Sequence, residues 1–187
     1  YNSAEIAKKI YLEEHPDTKI HVIDSLSAGG EVDLLVRKLN HLITEGLNFD
    51  QVVDAITTYQ AKTKLLFVLA KVDNLVKNGR LSKLVGTVVG LLNIRMVGEA
   101  SKTGTLELLQ KARGQKKATK AAFDELIKAG YTGGHIAIAH CNNDKFIEQF
   151  SAMIHEKFAH ASIEVLPTSG LCSYYAEEGG LLMGYEI

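Results

Sequence analysis

The chain has 187 residues, of which 46% are hydrophobic and 23% are charged, and its formal net charge is −1. These values are typical of a soluble globular protein with one or two domains, and they argue against the positive field of a nucleic-acid-binding protein. The two cysteines, Cys141 and Cys172, fit neither a disulfide framework nor a zinc-binding spacing. We therefore expect a reduced, cytoplasmic location.

The first predicted element is an α-helix. Apolar residues recur on one side of a pattern that begins at Ser3 and stops before Pro16, which cannot continue a helix. The sequence starts at Tyr1, without a methionine and directly in this helical pattern. We therefore expect the natural N-terminus to lie upstream.

A short strand is predicted next, over residues 18–25, followed by a Ser/Gly loop and a helix. This order is the βα unit of an α/β fold. It places Ser25 and Ser27 at the carboxyl end of a strand, where open sheets bind ligands. Both serines are therefore candidate binding residues.

Two helices follow, the first ended by Gly46 and the second opened by Asn48. A continuous β-prone run over residues 64–70 then predicts a buried strand. We place a domain boundary before this strand. Residues 1–63 would be part of a first α/β domain, and residues 64–187 a second α/β domain.

The run over residues 84–94 contains no charged side chain. As a helix it would span only about 16 Å, which is too short for a bilayer core of about 30 Å. Gly86 and Gly90 lie four apart, so one face of this predicted helix carries no side-chain bulk. That groove can hold either a neighbouring helix, which is the ordinary interpretation, or the chain of a ligand.

The rest of the sequence predicts a sheet with helices packed against it. A β-hairpin is expected around the polar turn at residues 101–104. The later elements are predicted as a helix over residues 116–130, a strand over 134–141, a helix over 144–158, a strand over 162–167 and a last strand over 179–186.

A histidine and a cysteine at the end of one strand suggest two interpretations. His140 and Cys141 resemble a catalytic cluster, and Cys172 has similar standing. The alternative is structural, with Asn142 or Asn143 turning the chain and capping the next helix. The histidines that are five residues apart have a poor spacing for chelation, so no metal site is predicted.

A basic cluster surrounds Gly114. Lys116 and Lys117 are the solvated start of a helix or a patch for phosphate or nucleic acid. Arg113 differs because it ends the hairpin strand, where its side chain can turn inward to a ligand anion. A planar guanidinium can hold a carboxylate through two parallel hydrogen bonds.

Six motifs follow one another along the chain: YNSA, VIDSLSAGG, VDNLVKNGRLSK, LVGTVVGLLNIRMV, QKARGQKKA and GGLLMGYE. Taken in this order, they resemble the DegV family of bacterial fatty-acid-binding proteins, which includes the binding subunit of a two-component fatty acid kinase. The resemblance covers essentially the whole chain. Tyr1 corresponds to the tyrosine of a family S-G-T-Y-x-S-A segment, which implies that the first strands and two hydroxyl-bearing loops precede it.

The resemblance implies a two-domain α/β fold and a binding protein without chemistry of its own. A single acyl chain would lie in a long tunnel beside the second domain, with its carboxylate near the interdomain cleft. No cofactor other than the bound fatty acid is implied. The uncharged helix becomes a candidate wall of the tunnel, with the residues Leu84, Gly86, Val88, Gly90, Leu91 and Leu92.

The resemblance also implies residues for the carboxylate. Arg113 falls at the arginine of a family E-K-V-R motif, and Ser25 or Ser27 would supply nearby polar contacts. Many members have a histidine in the closing motif, where this chain has Tyr175. A tyrosine hydroxyl can also donate to a carboxylate. Glu177 replaces a family glycine and would add a negative charge near the head group.

The implied partner is a separate, ATP-dependent kinase subunit, together with transient contact with a membrane surface. Arg80, which matches the arginine of a family G-G-R-I-S turn, and Lys116 and Lys117 are candidates for docking an acidic partner. Two rivals remain. One is an α/β enzyme that acts on a small carboxylate or phosphate, with Cys141 or His140 as catalyst and Arg113 as anchor. The other is a lipid-binding paralogue without kinase coupling.

Overall fold

The computed structural model describes residues 1–81 and 93–187. The described residues form helices packed against a six-stranded mixed sheet, as an α/β fold predicts. The helices are α1 (Asn2–Glu14), α2 (Gly30–Thr44), α3 (Phe49–Gln60), α4 (Asp73–Lys77), α5 (Gln115–Lys128), α6 (Asp144–Lys157) and α7 (Gly170–Ala176). The strands are β1 (Thr63–Leu69), β2 (Ile94–Ala100), β3 (Leu106–Arg113), β4 (His135–His140), β5 (Ser162–Pro167) and β6 (Leu181–Glu186).

The strands lie in the order β3-β2-β1-β6-β4-β5. Neighbouring strands are antiparallel except β4 and β5, which are parallel and are connected through α6. The predicted hairpin is confirmed as β2 and β3, with an irregularity in register between Val97 and Gly98. Its turn is held by Ser101, whose hydroxyl accepts the backbone N–H groups of Thr103 and Thr105 at 3.1 Å.

The start of α3 is also confirmed. The side chain of Asn48 accepts the N–H of Gln51, and the N–H of Asn48 donates to the side chain of Gln51. This reciprocal capping box satisfies two backbone donors that the first turn of a helix leaves unpaired.

The strand predicted over residues 18–25 is wrong. The segment has no regular structure, and no described residue pairs with its backbone in the sheet. A β-prone run needs a neighbouring strand for its N–H and C=O groups. Here Ile23 instead packs against a small cluster between α2 and α3. Ser25 and Ser27 therefore lie on a loop that leads into α2.

One face of the sheet, the closed face, is covered by α5 and α6. Alternate residues of β1, β2, β4 and β6 point into this layer, and it forms the larger apolar core. The central strands supply branched and aromatic side chains, whereas α5 supplies alanines that let the helix approach closely. Its fully buried large side chains include Leu126, Ile136, Ile138, Phe146, Phe150, Ile154 and Tyr185.

The opposite face, the open face, is divided between two sets of helices. α2 lies on β4 and β6, where a Cβ added to Gly30 would lie 1.9 Å from the carbonyl oxygen of Ala137. Only glycine permits this contact between a helix and the strand backbone. α4 and α7 lie over β1 and β2. The boundary between residues 1–63 and 64–187 stays a prediction.

Candidate functional site

An apolar pocket of about 170 Å³ lies on the open face, between the sheet and helices α4 and α7. Strand alternation positions its floor, because Phe67 and Leu69 of β1 point to the same face as Leu182 of β6. Almost all of its exposed lining is apolar. The lining residues are Ala28, Phe67, Leu69, Leu75, Arg80, Leu106, Leu171, Cys172, Tyr175, Ala176 and Leu182.

Two polar side chains meet at the edge of this pocket, the Arg80–Tyr175 pair. Nε of Arg80 donates to the hydroxyl oxygen of Tyr175 at 3.1 Å. The guanidinium carbon lies 5.1 Å from the centre of the tyrosine ring, which is a cation–π distance. The contact uses Nε, whereas a carboxylate can be held by the terminal Nη groups.

The turn after α4 fixes the position of Arg80. Gly79 takes a left-handed conformation, with φ of 66°, and its N–H donates to the carbonyl of Val76. The N–H of Arg80 donates to the carbonyl of Leu75 at 2.9 Å. These two bonds form a Schellman motif, which ends the helix and directs the following residue back along it. Arg80 therefore lies over the pocket rather than continuing outward from α4.

A cleft of about 510 Å³ adjoins the pocket and shares six lining residues with it. Ser25 and Ser27 line this cleft together with Arg80 and Tyr175. Leu26, between the two serines, has a positive φ of 50°, and its N–H lies 3.4 Å from a carboxylate oxygen of Asp24. The structure thus brings four of the predicted site residues to one cleft.

The hydroxyl of Ser27 is a polar group of the cleft without a hydrogen-bond partner among the described residues. Its oxygen is buried. The hydroxyl of Ser25 is 3.4 Å from the backbone carbonyl and N–H of Ser27, so both contacts are long. A buried hydroxyl without a partner is costly, and an acceptor bound in the cleft would remove that cost.

Arg113, Lys116 and Lys117 lie elsewhere. All three side chains are exposed, Arg113 at the end of β3 and the two lysines in the first turn of α5. None of them lines the pocket or the cleft, so the structure does not bring them to the Arg80–Tyr175 pair. The first turn of α5 contains no acidic residue, and its lysines add to the positive end of the helix dipole.

Glu177 does not direct its charge at the cleft. One of its carboxylate oxygens accepts the backbone N–H of Asn74, in the first turn of α4, at 3.0 Å. Glu177 lines neither the pocket nor the cleft. The carboxylate of Glu177, which was expected near the head group, therefore binds the first turn of α4 instead.

The His140 and Cys141 pair is built into a turn. Nδ1 of His140 accepts the N–H of Asn143 at 3.1 Å, and Cys141 exchanges backbone bonds with the segment before β6. Asn142 takes a left-handed φ of 51°, which confirms the predicted turn. Asn143 stands at the N-cap position of α6, but its side chain does not cap that helix.

Asn143 instead belongs to a polar cluster at the end of the closed face. Its Nδ2 donates to the carbonyl of Gly179 at 2.7 Å, and its Oδ1 accepts from Gln115. Arg95 donates to the same carbonyl at 3.3 Å. Burial lowers the pKa of Arg95 from its ordinary value, because desolvation disfavours the charged guanidinium.

Sequence reasoning missed the pocket floor and the short helix α7. Phe67 and Leu69 belong to a run that predicts a buried strand, and burial alone does not say what the side chains face. The useful signal is alternation on paired strands, which needs the register between β1 and β6. The predicted tunnel residues Leu84, Gly86, Val88, Gly90, Leu91 and Leu92 lie outside the described residues.

Two features are absent from the part of the chain that the structure describes. Across residues 1–81 and 93–187, no group of three or more His, Cys, Asp or Glu side chains is arranged to hold a metal ion. Among the same residues, no helix combines the length and apolar character needed to cross a bilayer.

Comparison with known proteins places the chain among proteins of one family. The family model for the uncharacterised DegV family matches residues 1–185. A DegV domain-containing protein of Streptococcus pneumoniae is 76% identical over all 187 residues, and one of Streptococcus gordonii is 74% identical. The chain spans 66% of the length of each of these relatives.

Two similar crystal structures contain fatty acids. The Streptococcus pneumoniae Fatty Acid Kinase (Fak) B3 protein loaded with linoleic acid matches with a TM-score of 0.97 and 76% identity, over 100% of this chain and 66% of that one. A DegV family protein of Eubacterium eligens loaded with heptadecanoic acid matches with a TM-score of 0.95 and 40% identity, over 100% of this chain and 67% of that one.

Proposed function

The chain belongs to the DegV family, and from this premise we propose that it binds one long-chain fatty acid. The hydrocarbon chain enters the apolar pocket of the open face, and the carboxylate lies at the Arg80–Tyr175 pair and the serine loop. The observation that carries the proposal is the position of these polar groups at the edge of an apolar pocket.

The hydrocarbon tail supplies most of the binding free energy. Each methylene that leaves water contributes about 0.8 kcal/mol, so a long chain needs few polar contacts. The pocket offers aliphatic and aromatic walls from three strands and two helices. The residues Leu84, Gly86, Val88, Gly90, Leu91 and Leu92 are proposed to extend this apolar surface.

The carboxylate supplies orientation. Arg80 can form a charge-assisted pair with it, Tyr175 can donate its hydroxyl, and Ser27 has a buried hydroxyl that needs an acceptor. Arg113 stays a prediction for this role, and the geometry favours Arg80 because Arg80 lines both the cleft and the pocket. An acid seated here would leave its carboxylate accessible from the cleft.

Support also comes from the relatives. The Streptococcus pneumoniae and Eubacterium eligens structures hold linoleic and heptadecanoic acid, respectively, and both cover the whole of this chain. Their ligands are unbranched chains with one carboxylate, which is the chemistry that the pocket and the Arg80–Tyr175 pair fit. The Streptococcus pneumoniae protein is named as the B3 protein of a fatty acid kinase.

We further propose that the protein has no chemistry of its own and presents the acid to a separate kinase subunit in the cytoplasm. Arg80 beside the cleft, and exposed Lys116 and Lys117 on α5, are candidates for contact with that acidic partner. Transient contact with a membrane surface would load the acid. The kinase would then form the acyl-phosphate on the exposed carboxylate.

Mass spectrometry tests the ligand. The natural chain that carries this sequence is purified, denatured and extracted, and the released acids are counted per protein molecule. We expect close to one equivalent of saturated or unsaturated C14 to C18 acids. Absence of any acid, together with no uptake of added oleate by delipidated protein, would overturn the proposal. A small carboxylate or phosphate ester in the extract would support the α/β enzyme instead.

Kinase coupling needs a second assay. The chain has Tyr175 where the resemblance implies a histidine in many family members, and this departure favours a paralogue without coupling. The loaded protein is incubated with a cognate ATP-dependent kinase subunit, and acyl-phosphate is trapped as the hydroxamate. Product formation supports presentation to the kinase. Fatty acid binding without product, with a coupled relative as positive control, identifies a paralogue that stores or carries the acid.

A further inference from the structure

Glu177 occupies a backbone conformation that suits glycine. It follows α7 with φ of 53° and ψ of 175°, a region that residues with a Cβ rarely adopt. Four non-glycine residues in the described part of the chain have positive φ, and two of them are asparagines, which tolerate it. The other two are Leu26, in the serine loop, and Glu177.

A side-chain contact explains why a glutamate stands there. Its carboxylate accepts the N–H of Asn74 at 3.0 Å, and Val72, the N-cap residue of α4, makes no side-chain cap of its own. A charged acceptor on a helix N–H is stronger than a neutral one, and it opposes the positive end of the helix. Glycine would fit the backbone and lose this bond.

The contact belongs to a set of bonds that joins α7 to α4. Nδ2 of Asn74 donates to the carbonyl of Tyr174 at 2.8 Å, and Nδ2 of Asn78 donates to the Tyr174 hydroxyl at 3.1 Å. The two helices also contribute Leu75 and Ala176 to one apolar cluster. Glu177 is the charged member of this set.

The spacing between these helices determines whether the Arg80–Tyr175 pair can form. Arg80 is held to the end of α4 by the Schellman motif, and Tyr175 lies on α7 two residues before Glu177. A shift of α7 relative to α4 would separate Nε of Arg80 from the Tyr175 hydroxyl, which are 3.1 Å apart. Hydrogen bonds from nitrogen to oxygen in proteins span about 2.7–3.2 Å, so this contact is already near the upper end of the range.

We propose that Glu177 is a positioning residue for the Arg80–Tyr175 pair. Its bond to α4 holds α7 at the spacing at which both side chains face one carboxylate. This inference rests on the proposed function of the pair. It assigns a role to the residue at which the chain departs from a glycine of the DegV pattern.

Substitution of Glu177 by glycine and by glutamine separates positioning from stability. E177G relieves the backbone and removes the bond, so the thermal midpoint should stay equal or rise while the dissociation constant for oleate increases about fivefold. E177Q keeps an amide oxygen that can accept the N–H of Asn74, and oleate affinity should stay within about twofold. E177D keeps the charge but shortens the side chain, and it should weaken binding as E177G does.

The neighbouring Glu178 offers a matched control. It is exposed, and its carboxylate is 3.9 Å from Lys71, so E178Q removes the same charge without touching α4. Its affinity should equal that of the wild type. The dissociation constants are measured by competition with a fluorescent fatty acid on the delipidated natural chain, and the fold of each variant is checked by circular dichroism.

The outcomes distinguish this inference from the function that it assumes. If E177G binds oleate as tightly as the wild type while Arg80→Met weakens binding, the positioning role is wrong and the proposed function stands. If E177G lowers stability and affinity together and E177Q does not restore them, Glu177 is only structural, and the inference is also overturned. If the wild type binds no fatty acid, the proposed function itself fails.

Discussion

The two faces of the sheet differ in how completely their side chains are packed. On the closed face, the residues of β1, β4 and β6 interlock with α5 and α6, and the large side chains are almost without solvent exposure. On the open face, the same strands carry α2 over one half and a pocket beneath α4 and α7 over the other. Successive side chains of one strand therefore point in turn into the closed core and toward the open face with its pocket.

This difference separates stability from binding. The closed face buries the larger apolar core, so it supplies most of the free energy of folding. The open face keeps apolar side chains next to a cavity, where they lack some of the contacts that a filled core provides. A ligand tail can supply those contacts. Substitutions on the two faces should therefore change different measured quantities.

The largest effect is expected from Phe150→Ala on the closed face. Phe150 is fully buried and stacks on Phe146 with ring centres 5.4 Å apart. Removing the ring leaves a cavity and should lower the free energy of unfolding by about 3–5 kcal/mol. Urea denaturation measures this loss. Oleate affinity of the folded fraction should not change.

Ile43→Ala on α2 is the control for that substitution. Ile43 is exposed, so its removal should change the free energy of unfolding by less than about 0.5 kcal/mol. Two results would contradict the proposal that the closed face supplies stability and the open face supplies binding. One is a decrease of less than about 0.5 kcal/mol in the free energy of unfolding of Phe150→Ala. The other is a large change in the oleate affinity of that variant.

An alkaline loss of stability is the next largest effect, and it also belongs to the closed face. Burial, together with the charge of Glu186, raises the pKa of Tyr131 to about 12. The unfolded chain ionises this tyrosine near pH 10, while the folded chain keeps the proton until about pH 12. Stability from this group is therefore full below pH 10 and falls by about 2 kcal/mol as the pH rises to 12.

Tyr131→Phe tests that assignment. The variant loses the hydrogen bond from the tyrosine hydroxyl to the carbonyl of Gly134, so it should be less stable than the wild type at pH 8 by about 1 kcal/mol. Urea denaturation at several pH values should show this difference shrinking above pH 10 and reversing, so that near pH 12 the variant is more stable than the wild type by about 1 kcal/mol. A constant difference across that range would mean that Tyr131 does not titrate as described.

Most of the fold could be predicted from local patterns. The hairpin has a Ser/Gly turn between two β-prone runs, and α3 has a capping box, so both carry their signals within a few residues. The strand predicted over residues 18–25 is wrong because a strand also needs a neighbouring strand, and a local sequence pattern carries no information about that neighbour. The short helix α7 has too few residues for a periodic signal.

The site was less accessible to sequence reasoning. Ser25, Ser27 and Tyr175 were candidates, and the structure places all three in one cleft. The arginine that lines the cleft is Arg80. Its position depends on the turn after α4, which folds the chain back over the sheet. Arg113 ends the hairpin strand with an exposed side chain. The direction of a long side chain depends on packing across the sheet, which residue spacing does not supply.

The smallest of the three effects is expected on the open face, where Arg80→Met tests the head group. Arg80 is exposed at the pocket edge, so methionine should change the free energy of unfolding by less than about 1 kcal/mol. Loss of the charge-assisted contact should weaken oleate binding by about ten- to thirtyfold, which corresponds to about 1.4–2 kcal/mol. Competition with a fluorescent fatty acid measures the affinity.

Lys77→Met is the matched control, because Lys77 is an exposed cation in the last turn of the same helix. Its loss removes the same charge, and oleate affinity should stay within about twofold. An equal decrease in both variants would mean that the field of α4, rather than a direct contact, attracts the acid. A decrease confined to Arg80→Met, at unchanged stability, would show that the open face binds the ligand and contributes little to folding at this position.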